Sequence, residues 1–312
     1  METRTIGGLE VSEVGLGCNN LGRRLDSAGS DAVVGAALDA GVTLFDTADF
    51  YGETKSEEFL GRALGKRRDQ AVLATKFGAP LDETGGGASP AYVRRAVEAS
   101  LTRLGTDRID LYQLHLPDPE TPVSETLGAL DELARQGKIR EIGCSNFTAD
   151  QLREAEGAAV AGGLTRFVTV QNEYNLFHRE PEADVLPECD RLDIRFLPYR
   201  PLASGVLTGK YRLGRPAPEG TRLSGDARPN PDYADRLLAD DSLARVEALI
   251  DLAESNDHTI LDLAFAWLLS RPQVPSVIAG ASTPEQVRAN VAAGEWMLSE
   301  ELLGRIDEIV SA

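Results

Sequence analysis

The 312 residues are 42% hydrophobic and 26% charged, the composition of a folded protein with a sizeable core and not of a disordered, collagenous or disulfide-scaffold chain. Lys and Arg total 32 against 50 Asp and Glu, a net charge of −18. This excludes nucleic acid and anionic membranes as general partners and leaves any anionic ligand to a local cluster of cations or backbone N–H groups. Cys18, Cys144 and Cys189 are odd in number and lack metal-ligand spacing, so three reduced thiols, no bound metal and a cytoplasmic location are expected. Residues 1–15 carry no signal-like apolar run, and no stretch approaches the roughly 18 apolar residues of a membrane span.

In chain order, TIGGLEV turns at Gly7 and Gly8 and reads as a hairpin. Short apolar or β-branched runs then predict strands at 14–17, 43–47, 71–76, 109–114, 139–143, 167–171, 195–199 and 276–279. Helical periodicity falls between them at 30–40, 56–65, 89–104, 123–136, 149–160, 182–192 and 284–293, and a helical pair at 242–255 and 259–270 precedes the last strand. Ser89–Pro90, Thr121–Pro122 and Thr283–Pro284 each put a capping hydroxyl before a proline at a helix start. A count of about 150 residues per domain would suggest two domains. Eight alternations of strand and helix without a linker predict instead one α/β domain over 1–312, a closed (β/α)₈ TIM barrel with an added N-terminal hairpin and a C-terminal helix. Two long connections, 202–241 after strand seven and 79–88 with Gly85, Gly86 and Gly87, would lie at the C-terminal mouth. With no GK[ST] following, the glycine run reads as a lid, not a phosphate cradle.

Asp46, Tyr51, Lys76 and His115 fall at or just past the ends of three consecutive predicted strands and so converge at that mouth. Each alone has an ordinary reading: a helix cap, a loop aromatic, a surface charge, a core imidazole. Lys76 is the exception, because a lysine ending an apolar strand is a costly buried charge without a carboxylate, and Asp46 is the neighbour that would supply one. An ammonium beside a phenol would lower the tyrosine pKa from about 10, making Tyr51 a general acid. A neutral His115 would hold and polarise a carbonyl oxygen. The set suits a proton given to a carbonyl oxygen as hydride reaches carbon, and it lacks the nucleophile–base pair of acyl transfer.

The ordered stretches FDTADFYGETKSEEFLGRAL, LATKFG, LGTDRIDLYQLHLPD, GKIREIGCSNF, VQNEYNLFHR, PLASGVLTGKY and SVIAGASTPEQVRAN span the chain and resemble the aldo-keto reductases, including the potassium-channel β subunits and bacterial members. The resemblance implies a barrel that binds NADPH without a Rossmann domain and a catalytic tetrad at Asp46, Tyr51, Lys76 and His115. GLGCNNLG is then the first barrel strand and its loop, with Gly17 and Cys18 beside the cofactor, and not a dinucleotide fingerprint. The resemblance further implies that Ser145, Asn146 and Gln171 hold the nicotinamide carboxamide and that Tyr199 stacks on its ring. Backbone near Leu202, Ser204, Gly205 and Leu207 would approach the pyrophosphate, and Lys210 and Arg222 are the cations of that loop, Arg222 being the candidate for the 2′-phosphate. Gly280, Ser282, Gln286 and Asn290 would meet the adenosine end near a helix N-terminus. Here the chain departs from the family pattern: Gly280 and Ala281 stand where many members carry a cation, and Ala289 replaces a Glu before Asn290, leaving Arg288 as a candidate substitute.

NADPH is therefore the expected cofactor, with NADH as the alternative, and the expected activity is reduction of an aldehyde or ketone to an alcohol. A redox sensor or regulatory subunit with slow turnover is the second reading, and a cofactor-free isomerase or hydrolase the third. The partner is a small-molecule carbonyl substrate, and a homo-oligomer is compatible with the chain. Asn19 and Phe50 flank the substrate mouth; His178 and His258 read as surface or loop residues, Trp267 as core and Trp296 as packing.

Overall fold

A computed structural model describes residues 1–80, 85–224 and 231–311. The polypeptide starts with an antiparallel hairpin, β1 (Thr3–Ile6) and β2 (Leu9–Ser12), in which Ile6 pairs with Leu9 across the Gly7–Gly8 turn. The Gly8 N–H donates to the Glu141 carboxylate at 2.7 Å, pinning the turn under the barrel. Eight parallel strands follow: β3 (Val14–Gly17), β4 (Leu44–Asp46), β5 (Val72–Phe77), β6 (Ile109–Leu114), β7 (Ile139–Ser145), β8 (Thr169–Glu173), β9 (Arg195–Tyr199) and β10 (Val277–Gly280). Their order is β10-β3-β4-β5-β6-β7-β8-β9. The seam between β9 and β10 is drawn together by the Phe196 N–H donating to the Gln273 carbonyl at 2.8 Å, giving the (β/α)₈ barrel that the alternation predicts.

The enclosing helices are α1 (Ser27–Asp39), α2 (Lys55–Leu64), α3 (Pro90–Leu104), α4 (Val123–Arg135), α5 (Ala149–Gly162), α6 (Val185–Leu192), α7 (Pro231–Leu237), α8 (Asp240–Glu254), α9 (Ile260–Leu269), α10 (Pro284–Ala293) and α11 (Glu300–Ser311). Ser89 accepts from the Tyr92 N–H and Thr283 from the Gln286 N–H, as capping hydroxyls should. Thr121 does not. Pro122 occupies the N-cap of α4, and the Thr121 hydroxyl donates to Asp118 at 2.8 Å, a competing acceptor three residues back. The helix at 182–192 starts later than its periodicity suggests, at Val185, because a 3₁₀ turn over Glu180–Glu182 precedes it. The long connection after β9 contains a 3₁₀ segment, Ala203–Thr208, and the short helix α7, neither of which the sequence pattern reveals. The lid reading for the glycine run falls partly outside the described residues, which omit 81–84.

Two apolar layers organise this frame. The larger lies between strands and helices and encloses Trp267, Phe265 and Tyr112. The smaller is inside the barrel at its N-terminal end, where Ile6, Leu9 and Val11 of the hairpin pack on Leu44, Ala74, Leu111, Leu197 and Ile278 of five strands. The hairpin thereby closes the bottom and leaves only the C-terminal ends of the strands open.

Candidate active site

Lys76, next to last in β5, is completely buried, and Asp46 ends the neighbouring strand β4 at 4% exposure. The Lys76 Nζ donates to Asp46 Oδ2 at 2.7 Å and to the Thr47 carbonyl at 2.9 Å. Asp46 Oδ1 accepts from Gln171 Nε2 at 3.0 Å and from Gln113 Nε2 at 3.4 Å. Such a pair survives burial because both ions have further hydrogen bonds. Burial works against the ammonium, but Asp46 and the Tyr51 phenol outweigh it and raise the Lys76 pKa.

Tyr51 lies in the loop after β4, its ring centre 5.3 Å from Lys76 Nζ. The expected lowering of its pKa is not the net result. Desolvation by burial is the largest effect and raises the phenol pKa, Lys76 pulls it down, and Asp46 pushes it back up. Sequence proximity to a lysine reveals the attraction and not the desolvation. His115, at the end of β6, packs 5.0 Å from the Phe50 ring and 6.0 Å from the Tyr51 ring. Burial and the nearby Lys76 ammonium lower its pKa to about 3, so the imidazole is neutral at physiological pH. Its Nδ1 is buried without a partner, leaving Nε2 as the nitrogen that the cleft can reach.

The four residues meet at the end of a cleft of ≈ 1010 Å³, the upper end of the range of about 300–1,000 Å³ for small-molecule sites. Lys76 underlies it, and Asp46, Tyr51 and His115 line it. Gly17, Cys18, Ser145, Asn146, Gln171 and Tyr199 line its floor. They are linked: the Tyr199 hydroxyl donates to Asn146 Oδ1 at 2.9 Å, Asn146 Nδ2 to Ser145 Oγ at 3.0 Å and to the His115 carbonyl at 3.0 Å, and Ser145 Oγ to the Gln171 carbonyl at 2.6 Å. With the Gln171 amide on Asp46, this network runs from Tyr199 to the buried ion pair. Asn146 holds φ at +62° within it, a backbone conformation that persists only where surroundings enforce it.

Leu202, Ser204, Gly205 and Lys210 line one wall, and Gly280, Ser282, Gln286 and Asn290 line the far end. Leu207 does not reach the cleft. Its side chain is fully buried, and its N–H, like that of Gly205, donates to the Leu202 carbonyl. At the far end the Gln286 carboxamide accepts from the Ser282 N–H at 2.7 Å. Arg288 pairs with Glu285 at 2.8 Å on the exposed face of α10 and is absent from the cleft lining.

The cations of the cleft are Lys210, Arg222 and Arg24, the last not anticipated from sequence, together with Arg200, which pairs with Glu173 at 2.7 Å. Among the described residues none of the first three forms an ion pair. Burial lowers the Arg222 pKa, and Arg24, Arg23 and Arg200 add to the effect; burial followed by Arg222 and Arg24 does the same to Lys210. Gly205, at φ +99°, has room for the Lys210 ammonium where a Cβ would come within 2.8 Å of Nζ. An acidic protein thus gathers unneutralised cations at one cleft, a fit for a phosphate-bearing cofactor. A tandem arginine just ahead of the Asp26 helix cap was the available signal for Arg24.

Elsewhere Trp267 is core, and His258 stacks on Trp296 with ring centres 4.0 Å apart. His178 lies near Glu180 at 3.3 Å on the surface. Cys18, Cys144 and Cys189 are unpaired and buried, and burial raises the pKa of each thiol. No helix among the described residues is long and apolar enough to cross a membrane.

An open barrel mouth carrying a buried Lys–Asp pair, a tyrosine and a neutral histidine agrees with the comparisons to known proteins. The profile of the Aldo/keto reductase family matches residues 13–311. A protein of Arabidopsis thaliana named "Probable voltage-gated potassium channel subunit beta" is 34% identical, over the whole of this chain and 97% of that protein. Two proteins of Bacillus subtilis are similar as well: aldo-keto reductase YhdN is 37% identical over 94% of this chain and 88% of its own, and the uncharacterized oxidoreductase YrpG is 33% identical over 97% and 93%. The chain belongs to the aldo/keto reductase family and is an oxidoreductase of the nicotinamide-dependent class.

Proposed function

We propose that the protein is an NADPH-dependent reductase of aldehydes or ketones, acting from a single barrel that holds cofactor and substrate at one mouth. The observation that carries this reading is the buried Asp46–Lys76 pair set against Tyr51, with neutral His115 across the same cleft. A bound nicotinamide supplies the hydride that reaches the carbonyl carbon. As the C=O π bond opens, Tyr51 gives its phenolic proton to the oxygen, and the resulting phenolate is stabilised by the Lys76 ammonium until solvent returns the proton. Asp46 keeps Lys76 charged and in place. His115 donates from Nε2 to the carbonyl oxygen and fixes the face presented to hydride. A phenol whose pKa is raised by burial stays protonated at neutral pH, the state that a proton donor requires.

The network of Ser145, Asn146 and Gln171 is suited to a carboxamide, and Tyr199 to stacking on a planar ring. Arg24, Lys210 and Arg222 favour NADPH over NADH, because an added 2′-phosphate would neutralise cations that repel one another. The test is a panel of aliphatic and aromatic aldehydes and ketones with each cofactor, followed at the nicotinamide absorbance band. Faster consumption of NADPH than of NADH with at least one carbonyl compound is expected; consumption of neither would overturn the reading. The likeness to a potassium-channel subunit supports a second reading, a cofactor-binding sensor, for which the same assay would show tight NADPH binding without turnover.

A further inference from the structure

A second cleft of ≈ 570 Å³ opens beside the first and shares Asn19, Phe50 and Tyr51 with it. Its other walls are Gly22, Arg23, Gly52, Glu53 and Lys55. The tandem arginines part here: Arg24 lines the large cleft with Lys210 and Arg222, whereas Arg23 lines only the side cleft, with Lys55. Arg23 and Lys55 are exposed and form no ion pair among the described residues, although Glu53 shares their cleft.

The backbone that carries these two cations is tightly packed. Gly22 and Gly52 have positive φ, +74° and +59°, and lie against each other: a Cβ on Gly52 would come within 2.6 Å of the Leu21 carbonyl oxygen, and one on Gly22 within 2.5 Å of the Lys55 Cβ. The loop after β3 and the loop after β4 are thereby locked together, with the Lys55 stem resting on Gly22 and Arg23 following that same glycine. On the large-cleft side of the shared wall, Phe50 and Leu116 are exposed apolar side chains, at 37% and 41%.

We infer that the side cleft is the substrate's anion subsite, and that the preferred substrates are carbonyl compounds bearing an apolar or aromatic body and a carboxylate or similar small anionic group. The inference rests on the reductase reading, in which the cofactor's phosphates engage the large-cleft cations and leave Arg23 and Lys55 to the substrate. The carbonyl meets Tyr51 and His115, the body lies against Phe50 and Leu116, and the anionic end reaches Arg23 and Lys55. Charge-assisted hydrogen bonds at such a position select among substrates without taking part in the chemistry.

The test compares 4-carboxybenzaldehyde with its neutral methyl ester in the wild-type protein and in an Arg23→Gln/Lys55→Gln double variant, glutamine at 55 keeping the Cβ that packs on Gly22. The wild-type protein should favour the carboxylate by about five- to tenfold in kcat/KM at low ionic strength, a preference that declines as NaCl is added. In the double variant the ratio of the two kcat/KM values should fall toward that of their intrinsic reactivities. Equal use of acid and ester by the wild-type protein, or a preference that survives the double substitution or high salt, would overturn the anion subsite and leave the reductase reading standing. Reduction of neither aldehyde would overturn the anion subsite, and would overturn the reductase reading with it only where no other carbonyl compound of the panel is reduced.

Discussion

Tyr51 and Asp49 stand two residues apart and make opposite demands on their surroundings. In the proposed reaction Tyr51 loses a proton in the transition state and regains it, so Tyr51→Phe should retain NADPH binding, measured by fluorescence titration, while kcat falls by about 10²–10⁴-fold. A variant with near-normal turnover would remove Tyr51 as the acid. Asp49 is 1% exposed, and neither carboxylate oxygen has a hydrogen-bond partner. Burial, with Glu57 adding to it, raises its pKa to about 7. Because the folded-state value lies above that of the unfolded chain, the native state holds this proton more tightly. The associated stability is complete below about pH 4 and is lost as pH rises through about 7. Asp49→Asn should therefore melt several degrees above the wild-type protein at pH 8 and match it near pH 4; an equal difference at both pH values would contradict the assignment. The convergence of Asp46, Tyr51, Lys76 and His115 was legible in the sequence because strand ends can be located from hydrophobic pattern, and a lysine at the end of AVLAT is conspicuous. The net direction of the Tyr51 shift was not legible, since desolvation depends on what the fold places over a residue and not on its chain neighbours.

Among the elements, the β1–β2 hairpin carries stability, and in the proposed reaction the loop after β9 carries cofactor specificity. Ile6 is fully buried under the barrel, at the end remote from Tyr51. Ile6→Ala should lower unfolding free energy by about 2–5 kcal/mol in urea titration and leave the KM for NADPH unaltered; a changed KM would show that the two ends are coupled. The loop after β9 bends through left-handed backbone at Arg200, Ala203 and Ser204. Arg222→Ala is expected to raise the KM for NADPH several-fold with little change for NADH, and equal effects on both cofactors would remove the 2′-phosphate assignment. The resemblance of LASGVLTGKY to the family marked this loop as the one expected to face the cofactor, and its Gly and Ser residues are compatible with a close approach. It could not show that the Leu207 amide turns back to Leu202, because turn geometry within an irregular segment is set by tertiary packing.

Across the whole molecule, charge is distributed against its own average. A net charge of −18 keeps most of the surface repulsive to anions, yet Arg23, Arg24, Lys55, Lys210 and Arg222 lie unpaired, among the described residues, around one mouth. Such a local field draws anions in and fades with salt. The KM for NADPH should rise between 20 and 300 mM NaCl more steeply than that for NADH, as steady-state kinetics can establish; parallel slopes would mean that the cleft does not sense the extra phosphate. The barrel itself was legible from its alternation of strands and helices. The clustering of cations was not, because Arg24 and Arg222 are nearly two hundred positions apart and meet only through closure of the sheet.

The three thiols give this molecule a built-in set of reporters. Cys18 follows β3 at the mouth, Cys144 is within β7 and Cys189 is within α6 on the outer layer. All are buried and hold their protons tightly, so an alkylating reagent reacts only when the surrounding element opens. Mass-resolved labelling would time separately the loosening of the rim, the staves and the outer helices, and saturation with NADPH should slow modification of Cys18 most.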